Sequence, residues 1–573
     1  MTVKKFIRDI LPRCFWLDSP QSAPPTSVNT TDSPTVSTAH FQTSPILNPE
    51  EVNNGELCSS SKMVKDYTLP NEGPFGSTGS PPGPHLVGLI EGLKAWTIGL
   101  SQFETPYAIL VSHLVDVLNW NCAAVYSPAW KDALTGNDVL LYAPPAIFLS
   151  DDSNDNSTTM VELHNSDTRL ICMASSWATV VDDWVPEASE AIMEYLQEFQ
   201  YPMGVIDGFD PRVSSCFDKE GEADTSCLVD LAEEECYSPM IMGAIVGQQV
   251  AEYARRDGWN MHGAFRSDGT ECTYNCRRYT DTTEYLPVYN ATDDELKRHW
   301  SPLLEDNGRG YFTRQEHVAP HIGLMAKPVL LSREEMNARE VEKPQYDYDQ
   351  EALLVTDRMA NLTDEKKMLI EFFDDKIAVA FAIIGAVVIK GVSFEHVLNF
   401  VVGFTAAEYD AVLLAWKEKI SHDLVRPTTW IQDQLGDTTF RTWVKNMGTQ
   451  TIKGRDFEAY VRVMPHSEFV SGSGCIFQAI YEFTDDWIRE HLNLSESMSI
   501  YLGDFPAGSS KTEPGLTPSE ELNLVAPNML ELRNMGAQSR LDGGMHFTAS
   551  IFASYALCEG VGNEAAIYAS QLW

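Results

Sequence analysis

The sequence predicts an all-α protein of packed helix bundles, and three observations carry that prediction. Apolar residues recur at helical spacing in nearly every segment after His85. Helix punctuation brackets those segments: a capping-type start "TDEK" at 363–366, a glycine at 391, a proline at 427. The chain has 573 residues, 43% of them hydrophobic, enough to bury a large core.

Taken in order, residues 1–83 form a low-complexity tail rich in Ser, Thr, Pro and Asn. That composition cannot bury enough apolar surface to offset ordering, so the tail is expected to be disordered. A mainly helical region, 84–345, follows. Its helical patterns are "LVGLIEGLKAWTIGL" (86–100), "SEAIMEYLQEFQ" (189–200), "PMIMGAIVGQQVAEYARRDG" (239–258) and "DDELKRHWSPLL" (293–304). Two β-rich runs, 138–150 and 168–181, suggest a minor β-hairpin. A second helical region, 346–573, is more strongly patterned. One helix is expected over 363–391, another from 393 until Pro427 stops it, and further helices in 475–492, 519–535 and 546–560.

The formal net charge of -41 and the pI of about 4.6 repel phosphate backbones and anionic lipid. Nucleic-acid binding is therefore not expected. The longest apolar run, 377–389, is too short to span a bilayer, so no membrane span is expected. The basic N-terminus is interrupted by charges and a proline and gives no clear targeting signal. Five of the eleven cysteines fall between Cys216 and Cys276 at spacings that do not build a zinc site, which leaves disulfides or free thiols. Five N-x-S/T sequons suit an extracellular or secretory compartment, but the sequence leaves the compartment open.

Against this acidic background, clustered cations are informative. Lys419 is followed after six residues by Arg426-Pro427. Ser471-Gly472-Ser473 directly precedes a helix, whose first N–H groups attract an anion. Ser539-Arg540 is followed after five residues by His546. Three cations, a hydroxyl, a glycine N–H and an imidazole make a receptor for a tetrahedral oxyanion.

These three segments resemble the vanadium-dependent haloperoxidases, which share a site with the type 2 phosphatidic acid phosphatases. That family's pattern is K-x6-RP, PSGH and SR-x5-H, in this order. Trp416 and His466 fit as well, and segments 277–290, 300–304 and 314–321 are similar to those before the site in bacterial and algal members. The resemblance implies helical bundles of the haloperoxidase and acid phosphatase type, vanadate as cofactor, and a homo-oligomer. It implies that His546 bonds the metal, while Lys419, Arg426, Arg540, Ser471 and the Gly472 amide hold its oxygens. Lys419 would also polarise bound hydrogen peroxide, and a halide would attack it for transfer to a small organic acceptor. Trp416 and His466 would line a halide pocket, the histidine tilting the choice toward bromide.

Two positions depart from the pattern. Ser473 stands where the motif has its acid–base histidine, and Ser550 where the family has an aspartate beside the ligand histidine. Ser473 reads equally as a helix N-cap, and His466 is the candidate substitute base. The resulting expectation is an enzyme that oxidises bromide or iodide. An acid phosphatase, an oxyanion-binding relative with little turnover, and a catalyst of some other rearrangement of an organic substrate stand as alternatives.

Overall fold

The computed structural model describes residues 239–571, apart from breaks at 275, 290, 307–311, 393 and 493–497. It also describes the short helix Pro211–Ser214 and scattered residues between 175 and 231. The tail 1–83, the helical patterns at 86–100 and 189–200, and the run 138–150 lie outside the described residues. Of the run 168–181, the described Ser175, Ala178 and Thr179 are helical, and the Thr179 hydroxyl donates to the Ser175 carbonyl at 3.0 Å. The β expectation fails at these residues because the hydroxyl closes a helical turn.

The fold is mostly helical. Helix α1 is Pro239–Ala254, followed by a long extended stretch and a small antiparallel hairpin, β1 (Leu304–Asp306) with β2 (Phe312–Arg314). The helix expected over 293–304 is reduced to one 3-10 turn, Leu296–Arg298. Tertiary pairing overrides local propensity there: Trp300 N–H donates to the Asp423 carbonyl and Val425 N–H to the Arg298 carbonyl, drawing the backbone out straight.

Next come α2 (Tyr348–Ala360), α3 (Asp364–Asp374) and α4 (Lys376–Val388). The single helix expected over 363–391 is thus two. Asp375 leaves helical geometry and its carboxylate caps Ala378 N–H, starting a new helix at Lys376. The Thr363 cap is present, accepting from Lys366 N–H.

Helix α5 (Phe394–His422) is the central rod, buried along most of its length. Pro427 serves as the first residue of α6 (Pro427–Asp433), since proline lacks only an N–H that has no helical partner there. A hairpin, β3 (Thr439–Val444) with β4 (Gly448–Lys453), leads into α7 (Gly472–Leu492). A third hairpin pairs β5 (Ile500–Phe505) with β6 (Leu522–Ala526). Here too a helix was expected, over 519–535. Leu524 and Ala526 are buried while Asn523 and Val525 are exposed, a two-residue period that makes a strand. Helix α8 (Met529–Asp542) begins only after Pro527, and α9 (Thr548–Cys558) and α10 (Val561–Gln571) complete the bundle.

Helix α5 packs against α7, α9 and α10, and α7 also packs against α8 and α9. The core of these helices is apolar, with Phe400, Phe477, Phe483 and Trp487 fully buried. Among the described residues, no helix is long and apolar enough to cross a membrane. Three disulfides are formed there: Cys216–Cys227, Cys272–Cys276 and Cys475–Cys558.

Candidate active site

Four segments converge on one cavity at the centre of the bundle. On α5, Glu408, Val412, Trp416 and Lys419 follow at spacings of four, four and three, and so share one face. The first turn of α7 supplies Gly472 and Ser473. The end of α8 supplies Arg540, and His546 stands between α8 and α9. Arg426 and His466 complete the wall from the connecting segments.

The turn before α7 is shaped by close approach. A Cβ at Gly472 would come 3.3 Å from the Trp416 ring, tighter than an ordinary contact, so a side chain there requires the ring to give by a few tenths of an ångström. The helix cap is Ser471, whose Oγ accepts the Gly474 N–H at 3.2 Å. The capping reading of Ser473 is therefore corrected: the helix starts at Gly472, so Ser473 is inside it, lines the cavity and makes no side-chain hydrogen bond among the described residues.

His546 is buried and held by a carboxylate. Its Nδ1 lies 3.1 Å from Glu468 Oε1, which also accepts the Phe547 N–H at 3.0 Å; Tyr346 Oη donates to Oε2 at 3.3 Å. Every side group meeting Glu468 is a donor, so it sits there as a carboxylate, although burial pushes it up to about 7 against the pull of Lys419 and Arg426. Burial first, and then Arg426 and Lys419, hold His546 well below its ordinary value. The ring is therefore neutral, and since a guanidinium can only donate, Nε2 is an acceptor and the ring proton sits on Nδ1. Nε2 faces Arg426 Nη1 at 3.3 Å.

The arginines are braced from behind. Arg426 donates from Nε to the His466 carbonyl (2.8 Å), from Nη1 to the Met545 carbonyl (2.8 Å) and from Nη2 to His466 Nδ1 (2.9 Å). Burial lowers its pKa to about 9, so it keeps its proton at neutral pH. Arg540 Nη1 pairs with Asp374 at 2.7 Å, while its buried Nε has no partner among the described residues.

Lys419 and His466 take positions that change their roles. Lys419 Nζ donates to the carbonyls of Ser467 (2.7 Å), Glu468 (3.2 Å) and Val470 (2.5 Å), using all three of its protons. It lies behind the cavity wall as a clamp on the 467–470 segment, and Lys376 is the lysine that lines the cavity. Burial and the nearby cations Lys419 and Arg426 keep His466 neutral. Its Nδ1 already accepts from Arg426, so the ring presents Nε2–H as a donor, which does not suit a base. The His466 ring lies 4.9 Å from the Trp416 ring at a tilt of 51°, and Trp416 Nε1 is tied to the Val318 carbonyl.

The cavity thus gathers Arg426, Arg540, His546, Gly472, Ser473, Trp416 and His466, with Ser471 and Lys419 one layer behind. Sequence reasoning missed Glu468, Asp374, Lys376 and Glu408. Glu468 had a visible signal, since it is the one acidic residue between His466 and the turn. Ser550, four residues after His546, has its Oγ 3.4 Å from His546 Nδ1. Glu468 reaches the same nitrogen at 3.1 Å, so His546 has a carboxylate partner although position 550 is a serine.

Residues 399–573 match the model of the VCPO second helical-bundle domain. The holo form of a bacterial vanadium-dependent chloroperoxidase superposes with a TM-score of 0.62 at 20% identity, covering 82% of this chain and 95% of that one. Its apo form gives the same TM-score and identity, covering 82% of this chain and 94% of that one. Comparison with curated protein sequences gave no match. The chain is vanadium haloperoxidase-like in fold and carries a VCPO-type second helical-bundle domain over residues 399–573.

Proposed function

We propose that this chain is a vanadate-dependent haloperoxidase. It would oxidise bromide or iodide with hydrogen peroxide to a hypohalous-acid equivalent that halogenates a small organic acceptor. One observation carries the reading: the unprotonated Nε2 of a neutral, carboxylate-held His546, which accepts from Arg426 Nη1, lies at the same cavity as two fixed guanidinium groups.

The residues fit vanadate. The orphaned Arg540 Nε is a buried donor awaiting an acceptor. The cavity measures about 70 Å³, well above the ~10–15 Å³ that admits a single water. His546 Nε2 would bond the metal, and Arg426, Arg540 and the N–H groups at the start of α7 would hold the oxygens. Bound there, vanadate supplies a Lewis acid that makes hydrogen peroxide electrophilic toward halide.

The chain's own groups do the rest. The two arginines, fixed by Met545, His466 and Asp374, stabilise developing negative charge without reorganising. Lys419, although it does not face the cavity, adds positive potential and keeps the turn in place. Val412, Met464 and Ile476 wall the cavity with apolar surface that excludes bulk water.

Purified protein incubated with orthovanadate, hydrogen peroxide and bromide should brominate monochlorodimedone, and iodide should be oxidised as well. Hydrolysis of p-nitrophenyl phosphate with no halogenation would replace this reading by the phosphatase one. Tight vanadate binding with neither activity would leave an oxyanion-binding protein.

A further inference from the structure

Four ionisable groups that belong to none of the three motifs line the cavity; Asp374 is paired with Arg540 and His466 accepts from Arg426, which leaves Lys376, the first residue of α4, and Glu408 on α5. Among the described residues Glu408 makes no hydrogen bond and no ion pair. A carboxyl group left alone on an apolar helix face costs stability unless something in the cavity engages it. Lys376 spends one proton on the Phe373 carbonyl and lies 5.4 Å from the centre of the Phe477 ring, which leaves donors for the cavity. The other charged or titratable groups around this space are Asp374, Asp375, Arg426, His466, Arg540 and His546. Asp374 is paired with Arg540, Asp375 caps α4, and neither histidine has an uncommitted Nδ1.

We propose that Glu408 and Lys376 are the proton-handling pair of this site, doing the work for which Ser473 has no suitable group. This inference rests on the haloperoxidase reading and names the acid–base residues within it. Burial drives the two groups toward each other in acidity. The carboxyl of Glu408 is raised to about 7, with Lys376 opposing the rise. The ammonium of Lys376 is lowered to about 7 by burial and then by Arg540. Groups that exchange protons near neutral pH are the efficient acids and bases at that pH.

The step balances. Glu408 as carboxylate accepts one proton from hydrogen peroxide, and the electrons of that O–H bond stay on the peroxide oxygen. The halide gives two electrons to the O–O bond, which breaks. The oxygen that leaves with the bonding pair receives the proton back from Glu408 and a second one through Lys376, which recovers it from solvent. In sum, halide, hydrogen peroxide and one proton give hypohalous acid and water.

The test compares the parent protein with Glu408→Gln and Lys376→Met, both checked for folding by circular dichroism. Peroxide-dependent bromide oxidation and orthovanadate affinity by equilibrium dialysis are measured from pH 5 to 9. Glu408→Gln should lower kcat by roughly 10²–10⁴-fold and remove the parent's pH limb near neutrality. Ionised Glu408 repels the anion, so parent affinity should fall as pH rises through about 7, and that fall should be smaller in Glu408→Gln. Lys376→Met should weaken binding mainly below that pH, where the ammonium is charged. If Glu408→Gln does not fold, Lys376→Met carries the same comparison of profile and affinity. Parent-like rate and parent-like pH dependence in the folded variants overturn the assignment while leaving the haloperoxidase reading intact. Vanadate binding by the parent with no halide oxidation overturns that reading instead, and the affinity profiles then decide whether the pair titrates against the bound anion. If the parent binds no vanadate, both fall.

Discussion

Glu468 Oε1 accepts from His546 Nδ1 at 3.1 Å and from the Phe547 N–H at 3.0 Å, so one carboxylate oxygen fixes both the imidazole and the backbone that follows it. Such a partner sets the tautomer and aims the other ring nitrogen. Glu468→Ala should therefore weaken orthovanadate binding by about 10–100-fold. Glu468→Gln, which keeps an amide oxygen at the same place, should retain most of the affinity. Equilibrium dialysis at pH 7 reads both, and parent-like affinity in Glu468→Ala would remove the positioning role.

Lys419 is expected to matter first for stability. Its ammonium answers three buried carbonyls in the 467–470 segment, and its own backbone carbonyl accepts the Ser467 hydroxyl at 2.7 Å. Lys419→Met fills the volume but leaves the Ser467 and Val470 carbonyls without the ammonium, while the Glu468 carbonyl keeps the Ser550 hydroxyl at 3.3 Å; each buried group left unpaired costs about 1–3 kcal/mol. Removing a desolvated cation offsets part of this. A net loss of about 3 kcal/mol in urea unfolding is expected. An unchanged unfolding midpoint and slope would mean that the carbonyls find other partners.

The Cys475–Cys558 disulfide ties the first turn of α7 to the last residue of α9, across 83 residues of chain that include Ser539-Arg540 and His546. Both cysteines are buried. The double variant Cys475→Ser/Cys558→Ser should lose about 2–4 kcal/mol of stability through the freer unfolded chain. Denaturant unfolding of the oxidised parent and the variant measures it. A midpoint unaltered by the change would show that packing alone holds the two helices.

What the sequence made legible was local. The three motifs stand out because each ligand-bearing segment is short and fixed in spacing, and six of their residues do converge: Arg426, Arg540, His546, Gly472, Ser473 and, behind them, Ser471. Which lysine faces the cavity was not legible. Lys419 and Lys376 are separated by a helix boundary, and the choice depends on how carbonyls 467, 468 and 470 fold back onto α5. Glu408 left a usable trace: it is a charged residue eight before Trp416 in the apolar run "VVGFTAAEYDAVLLAW", on the face that carries the tryptophan. The helices wrongly expected over 293–304 and 519–535 share one cause. Each segment pairs its backbone with a partner distant or reversed in the chain, the 423–425 strip in one case and β5 in the other, and no local pattern records that partner.

Glu513 provides a pH test away from the cavity. Its carboxylate accepts from Lys367 Nζ (2.6 Å), Trp443 Nε1 (3.0 Å), Asn446 N–H (3.0 Å) and Thr517 Oγ1 (2.9 Å), pinning the loop around 513 to α3 and to the β3–β4 hairpin. Burial pushes its pKa up, but the bonds from Lys367 and Thr517 together outweigh burial and hold it below the ordinary 4.5. A depressed folded value means that the contribution to stability is fully present above pH 4.5 and is lost as pH falls through the folded value. Urea unfolding of the parent should therefore show a drop in stability between pH 5 and 3 to which this group contributes. Glu513→Gln should be less stable than the parent at pH 7, since it leaves Lys367 without its counter-charge. The gap between the two should narrow as the parent's carboxylate takes up its proton. A gap that stays constant down to pH 3 would mean that Glu513 is not held in its charged form by these partners.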